Sequence, residues 1–568
     1  MKRTHVFGYT PQPVTPSFSQ RGINDLHNRV IVILAALTFI MICLMIRVGM
    51  FGLGGSDAGG SSSALPYGAV AKKRPDIYDA NGELLATTVS TVSLAGRAIA
   101  PDEADELAQK LQNIFPKKSL VRLRAALARG PGFVWLARNI TPRQHAAILK
   151  LGNPKLELVN DTQRFYPHGR LFSHVLGLTN LDNRGISGIE HTLNGSHFHN
   201  VSAVRLGLDI RFQQAAYEEL TKGIAEFGAN AGNVIIMDAK TGLIKAMISL
   251  PDYNPHSSKE RTPVNMFNRN TSGVYEMGST LKIFNTAMSL ETGAATLSSR
   301  YKTGAGLKIG RFRITDFHGK SEWMTVPQVF LKSSNVGSSL MAIDAGIAKQ
   351  KDFFEKLGFL KALSYELPEK GNPLVPLHWS ETSLSTIAYG YGISVTPLHL
   401  AKGVATIVNN GKEVTPSFII ASQPHLGQPV ISKRVSAQMR ALMRLAVTEG
   451  TCRKANVDSY VVIGKTGTAN KRVGRNYQKN NVDAAFVGAV GSSINDIRYV
   501  VVVMLDNPQR LAKTFGFNNA GWNTAPIAAR IIAKIAPLAG ITPNRQETSS
   551  RHTEALMRQV KYIPVGNH

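Results

Sequence analysis

Apolar and polar positions along the chain alternate between three regimes. Residues 30–46 are apolar without a charge, 17 residues in all, the short end of what crosses a bilayer as a helix. Residues 48–53 can lengthen the run, with Arg47 reaching back to the interface. Residues 52–63 are rich in Gly and Ser and read as a flexible linker. From residue 71 the pattern is that of a folded protein. Asn81-Gly82 between apolar flanks predicts a hairpin turn, and helical periodicity follows over 101–114 and 119–128. Residues 212–227 predict an amphipathic helix. Two strand-like runs, 233–238 and 243–250, are joined by Ala239-Lys-Thr-Gly242 as a hairpin. Further strand-like runs lie at 460–463, 484–490 and 499–505, with helical segments filling 281–401. Hairpin strands interrupted by a long helical insertion predict an α+β domain, an antiparallel sheet with helices packed on it. From residue 542 the chain is polar and basic, and a mobile tail is expected.

The order predicted is therefore a cytoplasmic tail (1–28), a transmembrane signal anchor (29–51), a Gly/Ser linker (52–70), a mixed domain (71–205), a larger α+β domain (206–540) and a basic tail (541–568). Lys2, Arg3, Arg21 and Arg29 precede the apolar run, and after Arg47 the next basic residue is Lys72. The positive-inside rule then puts the N-terminus in the cytoplasm and the folded domains on the far side of the membrane. No small-x-small cleavage site follows closely, so the anchor is expected to be retained.

With 568 residues, of which 43% are hydrophobic and 18% charged, the chain has ample material for two or more cores. A net charge of +27 favours anionic surroundings. The basic residues are dispersed, however, and the longest run is Lys72-Lys73-Arg74, which argues against nucleic acid. Cys43 and Cys452 are too far apart in sequence and context to suggest a disulfide. The pair His197 and His199 lacks further metal ligands.

Three short motifs carry chemistry. Ser279-Thr-Leu-Lys282 follows Gly278 and opens a helical pattern. Ser and Lys at i and i+3 share a helix face, the first turn favours a developing alkoxide, and a lysine in a dry pocket loses its proton readily. Ser333-Ser-Asn335 lies in a helical stretch, where a hydroxyl and an amide can relay a proton and hold a carbonyl. Lys465-Thr466-Gly467-Thr468 ends the strand-like run at 460–463. Its hydroxyls and ammonium suit a carboxylate, and Gly467 is expected to admit a substrate backbone. Each motif alone is common; an N-cap, a loop or a strand end would account for it. In this order and these contexts they match the signature of penicillin-binding proteins and serine β-lactamases.

Beyond the motifs, the chain resembles class B penicillin-binding proteins, and most of all the FtsI family of cell-division transpeptidases. The resemblance runs from Arg29 to about Pro537. It rests on Arg74…Asp79-Ala-Asn-Gly82…Leu85-Ala86, Arg164-Phe-Tyr-Pro167, His174-Val-Leu-Gly177 and Gly185-Ile-Ser-Gly-Ile-Glu190. It continues through Asp252-Tyr-Asn-Pro255, Asn268-Arg269, Thr396-Pro397, Phe486-Val-Gly488 and Gly521-Trp-Asn-Thr-Ala-Pro526. Met277 stands where the family usually has proline, and the stretch between Glu190 and Leu206 is short.

The resemblance implies a pedestal followed by a transpeptidase domain, with acyl transfer through Ser279. Lys282 would be the base, Ser333 and Asn335 the proton relay and aligner, and Lys465 an electrostatic partner. Thr466, Gly467 and Thr468 would bind substrate. It implies peptidoglycan stem peptides ending in D-Ala–D-Ala as substrates and β-lactams as inhibitors. It also implies an FtsW-type glycosyltransferase and other division proteins as partners, and no metal or organic cofactor. The same motifs occur in elongation-specific class B enzymes, D,D-carboxypeptidases and β-lactamases, and a non-catalytic division scaffold would keep the pedestal. No glutamate for rapid deacylation stands out, and the anchor and pedestal have no use in a β-lactamase.

Overall fold

The computed structural model describes residues 33–39, 41–42, 74–97, 101–128, 132–310, 312–316, 323–420, 427–474 and 476–563. The chain divides into two units, Met1–Val70 and Ala71–His568. In the first, residues 33–39 and 41–42 are helical and exposed. Among the described residues no helix is long and apolar enough to cross a membrane. The rest of the expected anchor, the cytoplasmic tail and the Gly/Ser linker lie outside the described residues.

In the second unit, Asp76–Tyr78 turns through Asn81-Gly82 into the strand Leu84–Arg97, as the turn signal predicts. Leu84–Arg97 is long enough to serve two layers. Its first half pairs with Asp76–Tyr78, and its second half lies between Phe133–Ile140 and Leu156–Phe165. Neither of those two partner strands is signalled by clean alternation, because each is only partly buried. The helices Pro101–Ile114, Leu120–Leu127 and Pro142–Leu151 close a small core around Leu94, Leu107, Leu111, Leu127 and Leu136. The base of this region behaves differently: Ile77, Leu85, Tyr166 and Phe172 belong to the main core that continues into the larger domain.

The large domain is built on a five-stranded antiparallel sheet. Its order is Val461–Val473, Asn476–Ser493, Asp496–Asp506, Ala231–Asp238, Ile244–Leu250. Val500 to Val503 are fully buried, so the middle strand reads as a continuous apolar run rather than an alternating one. Ile210–Phe227 and Thr524–Leu538 pack together on the sheet, and Lys282–Glu291, Pro397–Val408 and Lys433–Thr448 form a second helical group against it. Three sequence expectations change here. The first hairpin strand of the catalytic sheet runs on to Val473, so Lys465-Thr-Gly-Thr468 sits inside it and does not end it. Ser333 breaks the helical stretch: it caps Val326–Lys332 in the left-handed conformation (φ 58°), and Ser334 starts the next helix, Asn335–Ala345. The C-terminal stretch expected as a mobile tail carries the helix Ser550–Gln559, with Thr553, Leu556 and Val560 buried and Ile563 O accepting a bond from Gln328.

Candidate active site

Gly278 adopts φ +51°, which turns the chain into a short 3-10 turn, Gly278–Leu281, and then into the helix Lys282–Glu291. This turn presses on the edge strand. A Cβ on Gly467 would lie 2.5 Å from Met277 O and 2.9 Å from Thr280 N. Gly467 was expected to admit a substrate backbone; the space a side chain would take there is filled by the turn that carries Ser279. A glycine is needed at 467 for the strand to touch that turn at all.

The contact brings the three motifs to one point. Lys282 Nζ lies 3.0 Å from Ser279 Oγ, 3.1 Å from Ser333 Oγ, 2.6 Å from Ser333 O and 2.7 Å from Asn335 Oδ1. Lys465 Nζ lies 3.0 Å from Ser333 Oγ on the other side. Both lysines are fully buried, while Ser279 and Ser333 remain partly open. Burial drives the Lys282 ammonium to lose its proton well below the ordinary lysine range. The like charge of Lys465 pushes the same way, and Asp316 opposes both. Burial also lowers Lys465, with Cys452 opposing it. Two lysines bracketing one hydroxyl in a dry site cannot both hold a proton cheaply. The arrangement can therefore keep a neutral amine against Ser279 and a proton path through Ser333.

The outer edge of the catalytic strand is also shaped. Successive outward N–H groups fall at every second residue. That of Thr466 meets Cys452 Sγ at 3.1 Å and that of Asn470 meets Tyr391 Oη at 3.1 Å. The N–H of Thr468 lies between them, beside Gly278: a Cβ there would stand 3.1 Å from Thr468 N. Thr466 Oγ1 is paired with Thr451 Oγ1 at 3.0 Å, and Thr468 Oγ1 accepts from Ala520 N at 3.1 Å. The latter hydroxyl keeps its own proton to donate.

Every residue singled out by the motifs thus sits within this one site. Missed were Cys452, Tyr391, Ala520 and Asp316, which come from distant segments and hold the motifs in place. None has a local signal; a lone cysteine, tyrosine or aspartate in a loop says nothing about what it will face.

Residues 232–533 match the penicillin binding protein transpeptidase domain, and residues 70–194 match the penicillin-binding protein dimerisation domain. The chain is 32% identical to FtsI of Caulobacter vibrioides over 82% of each chain. It is 29% identical to the peptidoglycan D,D-transpeptidase FtsI of Escherichia coli, over 87% of this chain and 88% of that one. PenA of Neisseria gonorrhoeae is 28% identical over 85% and 87%. A crystal structure of an Atopobium parvulum protein shares the fold with a TM-score of 0.63 at 22% identity, covering 83% of this chain and 98% of that one. Sheet, pedestal and motif cluster define a penicillin-binding protein with a dimerisation-type domain ahead of its transpeptidase domain. Within that class, the chain belongs to the FtsI-like class B penicillin-binding proteins.

Proposed function

We infer that this protein is a serine D,D-transpeptidase that cross-links peptidoglycan stem peptides. The observation that carries the reading is Ser279 Oγ and Ser333 Oγ bridged by the buried amine of Lys282 at 3.0 and 3.1 Å. In this reading Lys282 accepts the Ser279 proton as Oγ attacks the carbonyl between the two terminal D-Ala residues of a donor stem. The oxyanion is received by the N–H groups of Ser279 and Thr468, each such donor contributing about 3–4 kcal/mol. Ser333, held between Lys282 and Lys465, delivers a proton to the departing D-Ala nitrogen, and Asn335 aligns the acyl chain. Thr466 and Thr468 with Lys465 bind the terminal carboxylate. The amine of a second stem peptide then attacks the ester, forming the cross-link and freeing Ser279. A β-lactam acylates Ser279 by the same route and leaves no small amine to diffuse away, so the ester persists.

Resemblance to the FtsI proteins supports a septal role and an FtsW-type glycosyltransferase as membrane partner. The apolar run and charge bias at the N-terminus support a single-pass inner-membrane anchor, with residues 71–205 as pedestal and 206–540 as the periplasmic catalytic domain. Exchange of the terminal D-Ala of a synthetic stem peptide for a labelled D-amino acid tests the activity. It should be lost in Ser279→Ala and blocked by benzylpenicillin; exchange at the wild-type rate in that variant would refute the assignment. Depletion in cells tests the role: filaments support division, rounded cells elongation.

A further inference from the structure

Asp316 lies just beyond a small hairpin, Leu307–Ile309 and Phe312–Ile314. That hairpin is fixed by its own apolar contacts: Ile309 and Ile314 form a cluster with Val336 at the start of the helix Asn335–Ala345. From this support the Asp316 carboxylate reaches three consecutive residues, Ser334 and Asn335 of the second motif and Val336 after them. Oδ2 accepts from Ser334 Oγ at 2.5 Å, and Oδ1 accepts from Asn335 N at 2.6 Å and from Val336 N at 3.0 Å. Its neighbour takes part as well, since Thr315 O accepts from Asn335 Nδ2 at 3.3 Å. Donating that amide to Thr315 points Asn335 Oδ1 the other way, toward Lys282 Nζ at 2.7 Å.

We propose that Asp316 is a positioning residue for acyl transfer: it locks the Ser333–Asn335 turn against the nucleophile helix and supplies negative charge on the side of the buried Lys282. Two observations carry this. The turn contains Ser333 in the left-handed conformation, which a serine adopts only when its surroundings hold it there. Anchoring the two backbone amides that follow is one way to hold it. Among the described residues the charged groups around Lys282 are also few. Lys465 faces it from the edge strand and Asp316 from the hairpin side, while Ser279, Ser333 and Asn335 are neutral; Cys452 acts on Lys465. The Asp316 carboxylate favours the protonated form of Lys282 and so moderates how far burial and Lys465 depress it. Too little proton affinity would leave Lys282 a poor acceptor for the serine proton, and too much would leave it blocked.

The proposal rests on the transpeptidase reading, and its test keeps the two apart. Detergent-solubilised full-length protein is labelled with fluorescent penicillin across a pH series, as wild type, Ser279→Ala, Asp316→Asn and Asp316→Ala. Wild-type labelling, lost in Ser279→Ala, reports on the underlying reading; the Asp316 variants report on the new one. Asp316→Asn keeps acceptors for the amides and removes the charge, so the acidic limb of its labelling rate should move to lower pH. Asp316→Ala also removes the anchor and should slow labelling at least about tenfold, the effect of ~1.4 kcal/mol of lost positioning. Thermal unfolding of each variant shows whether it is folded, and if Asp316→Ala is not, the Asp316→Asn profile decides. Folded variants that label at the wild-type rate, with pH profiles that superimpose on it, would overturn the proposal.

Discussion

At the scale of single residues, the chemistry turns on one buried amine. Lys282 has four oxygen atoms within 3.1 Å and no exposure to water. Its proton affinity is lowered first by burial, so the neutral, basic form appears as pH rises through a value well below the ordinary lysine range. Acylation by a penicillin is therefore expected to increase with pH along an acidic limb that lies below that range. A limb near the ordinary lysine value, about 10.4, would contradict this. Replacing Lys282 with methionine removes the base but keeps the packing. Acylation should fall by roughly 10²–10⁴-fold, with a modest fall in unfolding temperature from the lost hydrogen bonds to Ser333 O and Asn335 Oδ1. The motif residues were legible in the sequence because their order and spacing are tied to the reaction. Their burial was not, because that depends on segments far along the chain, such as Cys452 and Asp316.

At the scale of elements, the contact between the edge strand and the nucleophile turn decides whether the site exists. Gly467 touches Met277 and Thr280 so closely that any Cβ would force the two apart. Gly467→Ala is expected to cost about 1–3 kcal/mol of stability by overpacking, read as a lower unfolding temperature. Any displacement of the strand also moves Thr468 N–H and Lys465, so acylation should slow more than stability alone explains. A folded Gly467→Ala protein acylating at the wild-type rate would show that the contact does not position the site. Sequence patterning found the strands of the catalytic sheet but made four of them too short. The sheet continues past its fully buried middle into partly polar arms, such as residues 476–483 at the start of the strand Asn476–Ser493, where β pairing and not hydrophobicity maintains the strand. It likewise missed Phe133–Ile140 and Leu156–Phe165, whose faces are half wet.

At the scale of the whole molecule, the pedestal is tied together by a buried ion cluster. Glu190, with no exposed side-chain area, binds Arg74 at 2.9 Å and Arg164 at 2.6 Å. Those arginines go on to Asn183 O and Asn194 Oδ1, and to Pro75 O and Thr88 Oγ1. The three charged residues belong to three separate sequence segments quoted above for the family resemblance, and the fold makes them one cluster. Glu190→Ala leaves two buried guanidinium groups without a carboxylate and is expected to cost about 3–5 kcal/mol. The loss should appear in chemical denaturation; an unchanged midpoint would mean that the cluster is not needed for stability. From Glu190 the next elements reach the catalytic domain. Gly188 N donates to Glu369 Oε1 at 3.0 Å, Thr192 Oγ1 donates to Glu366 O, and Tyr253 Oη donates to Ser173 O at 2.9 Å. This mutual packing of pedestal base and catalytic domain could not be read from periodicity, which is blind to which faces meet.

Everything proposed for the site requires that Ser279 form a covalent acyl-enzyme. Its most direct test is the mass of the intact protein after incubation with penicillin, wild type beside Ser279→Ala. A stable increase of one penicillin is expected on the wild type, located by peptide mapping to the segment holding Ser279, and none on the variant. An adduct that also forms on folded Ser279→Ala would contradict it, as would a folded wild-type protein that takes none.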